Sequence, residues 1–305
     1  MSDLSVIIVT FNPGDLILAC LKSVEAASAG LDTEIIVIDN ASEDGTTDQI
    51  KTQFKRVRLV ANPDNRGFAA ACNQGMAIAS GQYLLLLNPD TVVEPDALTS
   101  MTRFMDAHPH VGIVGPRAHG HAGEITLTAY PEYGPGMILW QYFGLDRLFP
   151  YAVFGRYRRL CEQATEPFRV EWVQGSCLML RRQVFEAIGG LDESFFLFCE
   201  EPDFCQRARA HGWEVHYLPG ARIAHTVSSS VSRYTFARVR NYHISPLIYF
   251  RKRGRPVTAL VLKLGFTLEL LAKLVMRAAQ IAIGKRALAM HVSIYARVIR
   301  ELWAF

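Results

Sequence analysis

Three acids crowd into four positions at Glu200, Glu201 and Asp203, among Phe195, Phe196, Phe198 and Phe204. Like charges in an apolar setting raise at least one carboxyl pKa, which suits a general base. The same acids would also steady the amino end of a helix, a purely structural task. Asn88-Pro89-Asp90 puts a carboxylate just past the apolar run Tyr83–Leu87, on backbone stiffened by proline. An aspartate there can hold a hard divalent cation and, through it, a diphosphate. It can equally cap the following helix. Asp39, at the end of Glu34–Asp39, suits a hydrogen bond to a nucleotide base or ribose, or again a cap. His225, shortly after Trp213–Leu218, offers a neutral imidazole to a metal, or a structural side chain.

The elements that must position these groups alternate through the first half of the chain. Leu4–Thr10 is an apolar, β-branched strand that stops at the turn Asn12-Pro13-Gly14, and helical periodicity follows over Asp15–Ala29. Strands are predicted at Glu34–Asp39, Val57–Ala61, Tyr83–Leu87 and Val111–Gly115, with helices at Glu43–Phe54, Phe68–Ala79 and Pro95–Ala107. Fully apolar strands alternating with helices predict a mainly parallel central sheet covered on both faces, an α/β fold. Ligands of such sheets lie at the carboxyl ends of the strands. The polar residues collect there: Thr10-Phe11-Asn12, Asp39-Asn40, Asn62 to Gly67, and Asn88-Pro89-Asp90. One such cluster would be a turn; four in register describe a site. Further on, Gly134–Pro167 reads as irregular, Val170–Arg181 as a strand, Arg182–Ile188 as a short helix, and a helix runs from the acids to His211.

Composition excludes several classes. The 305 residues are 50% hydrophobic and carry 17 Phe, 11 Tyr and 4 Trp, which rules out a disordered chain. The six cysteines form no CxxC pair and read as buried, reduced thiols of a cytosolic protein. The amino end lacks the basic and long apolar regions of a signal peptide. The net charge of +3 conceals two halves: 11 Lys/Arg against two Glu from Pro246 onward give +9, and the first 245 residues carry −6. A negative body argues against a nucleic-acid groove. The expected organisation is a domain over 1–245 and a basic amphipathic helical region over 246–305.

That tail is apolar from Val257 to Ala282 except for Lys263, Glu269, Lys273 and Arg277, so a spanning helix is disfavoured. At ~100° per residue, Lys263, Lys273, Arg277 and Lys285 share about one third of the helical circumference. Leu260, Leu264, Leu268, Leu271, Leu274, Val275 and Ala278 hold the rest. After the cluster Arg251-Lys252-Arg253-Gly254-Arg255, such a helix suits the surface of an anionic membrane. It could instead cover the core of the main domain with its basic side chains solvated. Gly284 is expected to end it, and a second helix to run through Val298.

The ordered segments SVIIVTFNPGD, EIIVIDNASEDGT, ANPDNRGFAAACNQGM, LLLLNPDT, GSCLMLRRQVFEAIGGLDESFFLFCEEPDFCQRARAHGW and YLPGARIAH cover about Leu4 to His225. Together they resemble family 2 glycosyltransferases of the GT-A nucleotide-diphospho-sugar transferase fold, in their rhamnosyltransferase-like branch. The resemblance implies that Thr10, Phe11, Asn12 and Asp39, with the adjacent Asn40, cradle the nucleotide. It implies that Asn65, Gly67 and Asn73 line the diphosphate side, and that Asp90 and His225 hold the metal. Asn88 stands in place of the first acid of the family's DxD element. Glu201 takes the catalytic-base position, with Glu200 and Asp203 beside it.

The family mechanism implied is an inverting, metal-dependent transfer using Mg²⁺ or Mn²⁺. The donor implied is dTDP-rhamnose, and the acceptor a hydroxyl of a lipid-linked (polyprenyl) or cell-surface glycan. The basic tail would bring the enzyme to the inner membrane face, as a cytoplasmic, peripheral protein. The stretch Tyr130–Tyr157 and Gly175-Ser176-Cys177 are candidates for the acceptor wall. A nucleotidyltransferase would need a basic, glycine-rich signature near the amino end, and VTFNPGD has no basic residue. A non-catalytic glycan-binding module at a membrane is the other alternative.

Overall fold

A computed structural model describes residues 3–120, 122–148, 155–225, 235–282 and 289–305. The elements run β1 (Leu4–Thr10), α1 (Leu16–Ala27), β2 (Thr33–Asp39), α2 (Thr46–Gln53), β3 (Arg58–Ala61), α3 (Phe68–Ile78), β4 (Tyr83–Leu87), β5 (Thr91–Val93), α4 (Ala97–Ala107) and β6 (Val111–His119). Then follow β7 (Ile125–Thr126), β8 (Ala129–Tyr130), α5 (Pro135–Tyr142), α6 (Leu145–Leu148), α7 (Gly155–Gln163), β9 (Phe168–Arg169), β10 (Trp172–Val173), β11 (Cys177–Arg181), α8 (Arg182–Ile188), α9 (Glu200–Ala210) and β12 (Glu214–His225). Three helices close the chain: α10 (Phe236–Lys252), α11 (Pro256–Ala282) and α12 (Ala289–Ala304).

The chain divides into two compact units. The first comprises Met1–Glu132, Tyr157–Glu193 and Glu200–Ser232, and is built on a sheet in the order β3-β2-β1-β4-β11-β6-β12-β5. The strands β3, β2, β1 and β4 are mutually parallel, as are β6 and β12. Between them β11 runs antiparallel to both neighbours. Side chains of a strand point alternately to opposite faces, and the core divides accordingly. Leu4, Val6, Ile8, Leu85 and Leu87 pack with α1 and α4 residues on one face. Ile7, Val9, Leu84 and Leu86 pack with Ala69, Cys72 and Met76 of α3 and Phe204 of α9 on the other. Close approach of α3 requires Gly75, where a methyl would stand 2.4 Å from Ile7 Cγ2. All six cysteines are free and buried, and burial pushes the Cys20 and Cys205 thiols up to about 12.

The second unit comprises Tyr133–Arg156, Ser194–Cys199 and Arg233–Phe305. Its core gathers Ile138, Tyr142, Phe195, Leu247, Phe250, Leu262, Phe266, Leu270, Tyr295 and Val298. The boundary expected at Pro246 falls inside α10, where Pro246 is buried mid-helix. Helices α5, α6 and α7 lie in the stretch expected to be irregular over Gly134–Pro167; at eight, four and nine residues they are too short to show a clear helical period in the sequence. The single strand expected over Val170–Arg181 is broken at Gln174–Ser176 into β10 and β11.

Within this unit α11 turns over the face expected for it. Lys263 is buried with its Nζ 4.7 Å from the Trp303 ring centroid, and Lys273 is ion-paired to the buried Glu269. Glu269 also faces His243 Nε2 at 3.2 Å. Neutralised this way, the polar side of the helix packs inward with Leu262, Phe266 and Leu270, and the leucine arc faces outward except for Leu274, which packs against that core. Gly284 and Lys285, to which the sequence reading assigned the helix end and a basic position, lie outside the described residues.

Candidate active site

Strand register brings the polar clusters of the first unit to one edge of its sheet. Thr10 lies beside Asp39, Ile8 beside Leu87, Cys177 beside Leu87 from the antiparallel side, and His225 beside Thr91. The carboxyl ends of β1, β2 and β4 and the incoming end of β11 thereby lie along one edge, with β12 reaching it through β5.

On the β1–β2 side the buried polar groups satisfy one another. Thr10 Oγ1 donates to Asp39 Oδ1 at 2.8 Å, and Ser42 N–H donates to Asp39 Oδ2 at 2.9 Å. Asn40 Nδ2 donates to the Gly67 carbonyl at 3.1 Å and Asn62 Nδ2 to Asn40 Oδ1 at 3.0 Å. Asn12 N–H reaches Ser42 Oγ, and Asn12 Oδ1 accepts from Glu43 N–H, each at 2.8 Å. Asn12 and Ala41 hold left-handed backbone, with φ of 50° and 62°. Thr10, Asp39 and Asn40 are therefore a buried frame under the loops, while Phe11 is 49% exposed above it. Ser42 and Asn62 belong to this frame although neither was among the expected ligand residues. Their signal was only the proximity of small polar residues to strand ends.

Two expected ligand residues have internal tasks. Asn73 Nδ2 donates to the Leu191 carbonyl and to Glu193 Oε1, both at 2.9 Å, and its Oδ1 accepts from Leu191 N–H at 2.8 Å. A methyl at Gly190 would stand 2.2 Å from that Oδ1. The amide expected to line the diphosphate side fixes the turn after α8. Asn65 Oδ1 accepts from Gly67 N–H at 3.0 Å, shaping the entry to α3. Gly67 holds φ of 85° there, and no side chain caps the helix.

Asp90 and His225 come together. Both are buried, 5% and 6% exposed, and His225 Nε2 lies 3.3 Å from Asp90 Oδ1. Neighbouring ligands on an octahedral ion with bonds of ~2.1 Å lie about 3.0 Å apart, so this spacing fits two adjacent donors. His225 Nδ1 is buried with no hydrogen-bond partner among the described residues. A carboxylate oxygen suits Mg²⁺ or Mn²⁺, and an added imidazole nitrogen favours a transition ion such as Mn²⁺. Among the described residues no set of three His, Cys, Asp or Glu gathers at metal spacing, so a bound ion would complete its shell from substrate oxygens and water. Asn88, half-buried, uses its backbone to hold the turn: its N–H donates to the Ser176 carbonyl at 3.0 Å, and its carbonyl accepts from Thr91 Oγ1 at 2.6 Å.

The three acids at the start of α9 separate by environment. Asp203 is ion-paired at 2.8 Å with Arg207, whose other nitrogens donate to the carbonyls of Ile188 and Gly190. Its charge is thereby committed to anchoring a loop. Glu200 is 2% exposed. Glu201 is half-buried and accepts the Gly175 N–H at 2.9 Å on Oε1. Burial pushes its carboxyl pKa above the ordinary glutamate value, while hydrogen bonds from its own backbone and from Gly175 oppose the rise. The next residue, Ser176, accepts the Asn88 N–H. One dipeptide thus joins the Glu201 carboxylate to the turn that carries Asp90. Gly175, expected in an acceptor wall, serves as this clamp.

Residues 5–189 match the family model Glycosyl transferase family 2, and residues 151–302 match Glycosyl transferase family group 2. Among curated relatives, the chain is 28% identical over 265 residues to N-acetylglucosaminyl-diphospho-decaprenol L-rhamnosyltransferase of Mycobacterium tuberculosis (strain CDC 1551 / Oshkosh), spanning 82% of this chain and 84% of that one. It is 22% identical over 232 residues to dTDP-rhamnosyl transferase RfbF of Shigella flexneri, spanning 74% and 70%. In fold it is similar to the mannosyltransferase PcManGT of Pyrobaculum calidifontis, solved with GDP-Man and Mn²⁺, at a TM-score of 0.58 and 18% identity over 98% of this chain and 85% of that one. The first of the two family models alone spans more than half of the sequence. The polar strand edge is the candidate centre of a glycosyltransferase, and the chain belongs to glycosyl transferase family 2.

Proposed function

We propose that this enzyme moves a sugar from a nucleotide diphosphate to a glycan hydroxyl in a single inverting displacement, with Glu201 as the base. The observation that carries the reading is the link from Glu201 through Gly175 and Ser176 to the turn bearing Asp90. Glu201 combines partial exposure with a raised pKa and a clamped oxygen. Gly175 engages Oε1, and the carboxylate would accept the acceptor's proton. The acceptor oxygen then attacks the anomeric carbon opposite the diphosphate. A positioned base of this kind contributes on the order of 10²–10⁴ in rate.

Phe11, Asn12 and the loop built on Thr10, Asp39 and Asn40 would hold the nucleotide, and Gly67 with the uncapped start of α3 its diphosphate. Asp90 and His225 would hold the divalent ion, Mg²⁺ or Mn²⁺, and Asn88 would contribute a neutral amide. When bound, the ion supplies electrostatic stabilisation of charge on the leaving diphosphate. The donor proposed is dTDP-rhamnose, in keeping with the names of the two rhamnosyl-transferring relatives. A lipid-linked or cell-surface glycan is the acceptor proposed, the mycobacterial relative being named for a decaprenol-linked one. We place the enzyme at the inner membrane face as a peripheral protein, on the excess of basic residues after Pro246.

The test is donor turnover by the purified full chain, with dTDP-rhamnose, UDP-sugars and GDP-sugars compared with and without Mn²⁺ or Mg²⁺. Release of dTDP that requires the ion and is lost in Glu201→Gln supports the reading. Full turnover by Glu201→Gln removes Glu201 as the base.

A further inference from the structure

The outward face of α11 is apolar along most of its length. Val257, Leu260, Val261, Leu264, Leu268, Leu271 and Val275 are 44–73% exposed. At ~100° per residue they occupy an arc of about 100°, opposite the arc of Ala259, Leu262, Phe266 and Leu270 that is buried in the core of the second unit. At ~1.5 Å per residue the stripe is about 27 Å long. Scattered exposed leucines need no explanation, but a continuous stripe of this kind marks an interaction surface. No helix among the described residues is long and apolar enough to cross a membrane.

Charge tells what covers it. Arg251, Lys252 and Arg255 are exposed at the turn from α10 into α11. No acid occurs from Pro246 to Leu268, and the first one, Glu269, is buried and paired with Lys273 and His243. Trp303, half exposed on α12, lays its ring against Lys263 and donates its indole N–H to Thr267 Oγ1 at 3.2 Å, on the flank of the stripe. An apolar face bordered by cations and an amphipathic indole fits an anionic lipid surface. A second copy of the chain would bring one cation cluster toward another without an exposed acid on this stretch to meet it.

We infer that α11 lies in the plane of an anionic bilayer with its leucine stripe inserted, and that its basic residues on the packed side do not make the contact. This rests on the membrane-surface reading above and changes its mode. Attraction through an exposed basic helical face would vanish at high salt, whereas insertion retains an apolar component that salt does not screen.

Co-sedimentation of the full chain with phosphatidylglycerol/phosphatidylcholine vesicles, at low and at about 0.5 M salt, tests it. Binding to anionic vesicles that is weakened but not abolished by salt is expected. The outward double variant Leu264→Glu/Leu268→Glu should lose partitioning by about tenfold or more, and Arg251→Ser/Arg255→Ser should lose chiefly the salt-sensitive part. Vesicle binding by the leucine variant equal to the wild type overturns the inference, as does absence of wild-type binding. Conversion of a wild-type dimer to a monomer by the leucine variant, seen by light scattering, would assign the stripe to self-association instead. dTDP-sugar turnover without vesicles, measured in the same preparations, separates failure of this inference from failure of the proposed reaction.

Discussion

Gly175 donates its backbone N–H to Glu201 Oε1 at 2.9 Å, and a methyl group at Gly175 would stand 2.6 Å from the same oxygen. The glycine therefore positions the carboxylate twice, by a hydrogen bond and by leaving room for it. Gly175→Ala is expected to displace the carboxylate and lower kcat by on the order of 10–10²-fold, since misplacing a reacting group by about 1 Å costs that much. The hydrogen bond also favours the ionised form, so its loss raises the carboxyl pKa further. The acidic limb of the kcat/KM profile should move to higher pH in the variant, which steady-state assays across pH would detect. An unshifted limb with lower kcat would assign Gly175 to packing alone.

Glu201 carries a stability consequence of the opposite sign to its catalytic one. Burial raises its pKa in the folded chain above the ordinary glutamate value. A group whose folded pKa is raised contributes its full stability below the unfolded value of about 4.3, and that contribution is lost as pH rises through the folded value. At neutral pH the buried charge is a net cost. Glu201→Gln should therefore abolish transfer while leaving Tm at neutral pH equal to or above that of the wild type. The advantage should shrink as pH falls toward the ordinary glutamate range. Thermal melts at a series of pH values check this, and a lower Tm at neutral pH would indicate that the ionised carboxylate is a structural anchor.

Asp90 and His225, 3.3 Å apart and buried, are the donors assigned to the cation. His225→Ala removes one of two protein ligands and should weaken Mn²⁺ binding by on the order of 10–100-fold, by comparison with other perturbed ligand shells. Calorimetric titration of Mn²⁺ in the presence of dTDP measures this without any turnover. Asp90→Asn should act in the same direction and more strongly, because it removes the charged donor. Unchanged Mn²⁺ affinity in both variants would disprove the assignment.

Much of the fold was legible because its elements obey one rule at a time. The apolar runs that became β1, β2 and β4 begin or end within a residue of where alternation of runs and turns put them. The polar strand ends marked the candidate site because register carries them to one edge. What escaped was decided by contacts far apart in sequence. Nothing local distinguishes the amide of Asn73 as a clamp on residue 191; the Asp203–Arg207 pair is four residues apart on α9, but the carbonyls of Ile188 and Gly190 that hold Arg207 in place do not show in that spacing. For α11 the two arcs were legible but not which one faces the core. The stacking of Lys263 on Trp303 and the approach of His243 to Glu269, which Lys273 pairs with one turn along the same helix, decide that, and the first two come from tertiary packing.

Asn73 gives the sharpest test of that distinction. Its side chain makes three hydrogen bonds to the turn at Leu191–Glu193, and Gly190 is held close against it. Asn73→Ala strands the Leu191 N–H and carbonyl, which should cost about 1–3 kcal/mol of stability. If Asn73 instead touched the diphosphate, the same change would weaken nucleotide binding. The expectation is a lowered denaturant midpoint with unchanged dTDP affinity at temperatures where the variant is folded. Asn73→Asp separates the two roles further, because a carboxylate still accepts from Leu191 N–H but cannot donate to the Leu191 carbonyl or to Glu193, and adds a repulsive charge there. A marked loss of dTDP affinity in Asn73→Ala at full stability would return the residue to the ligand site.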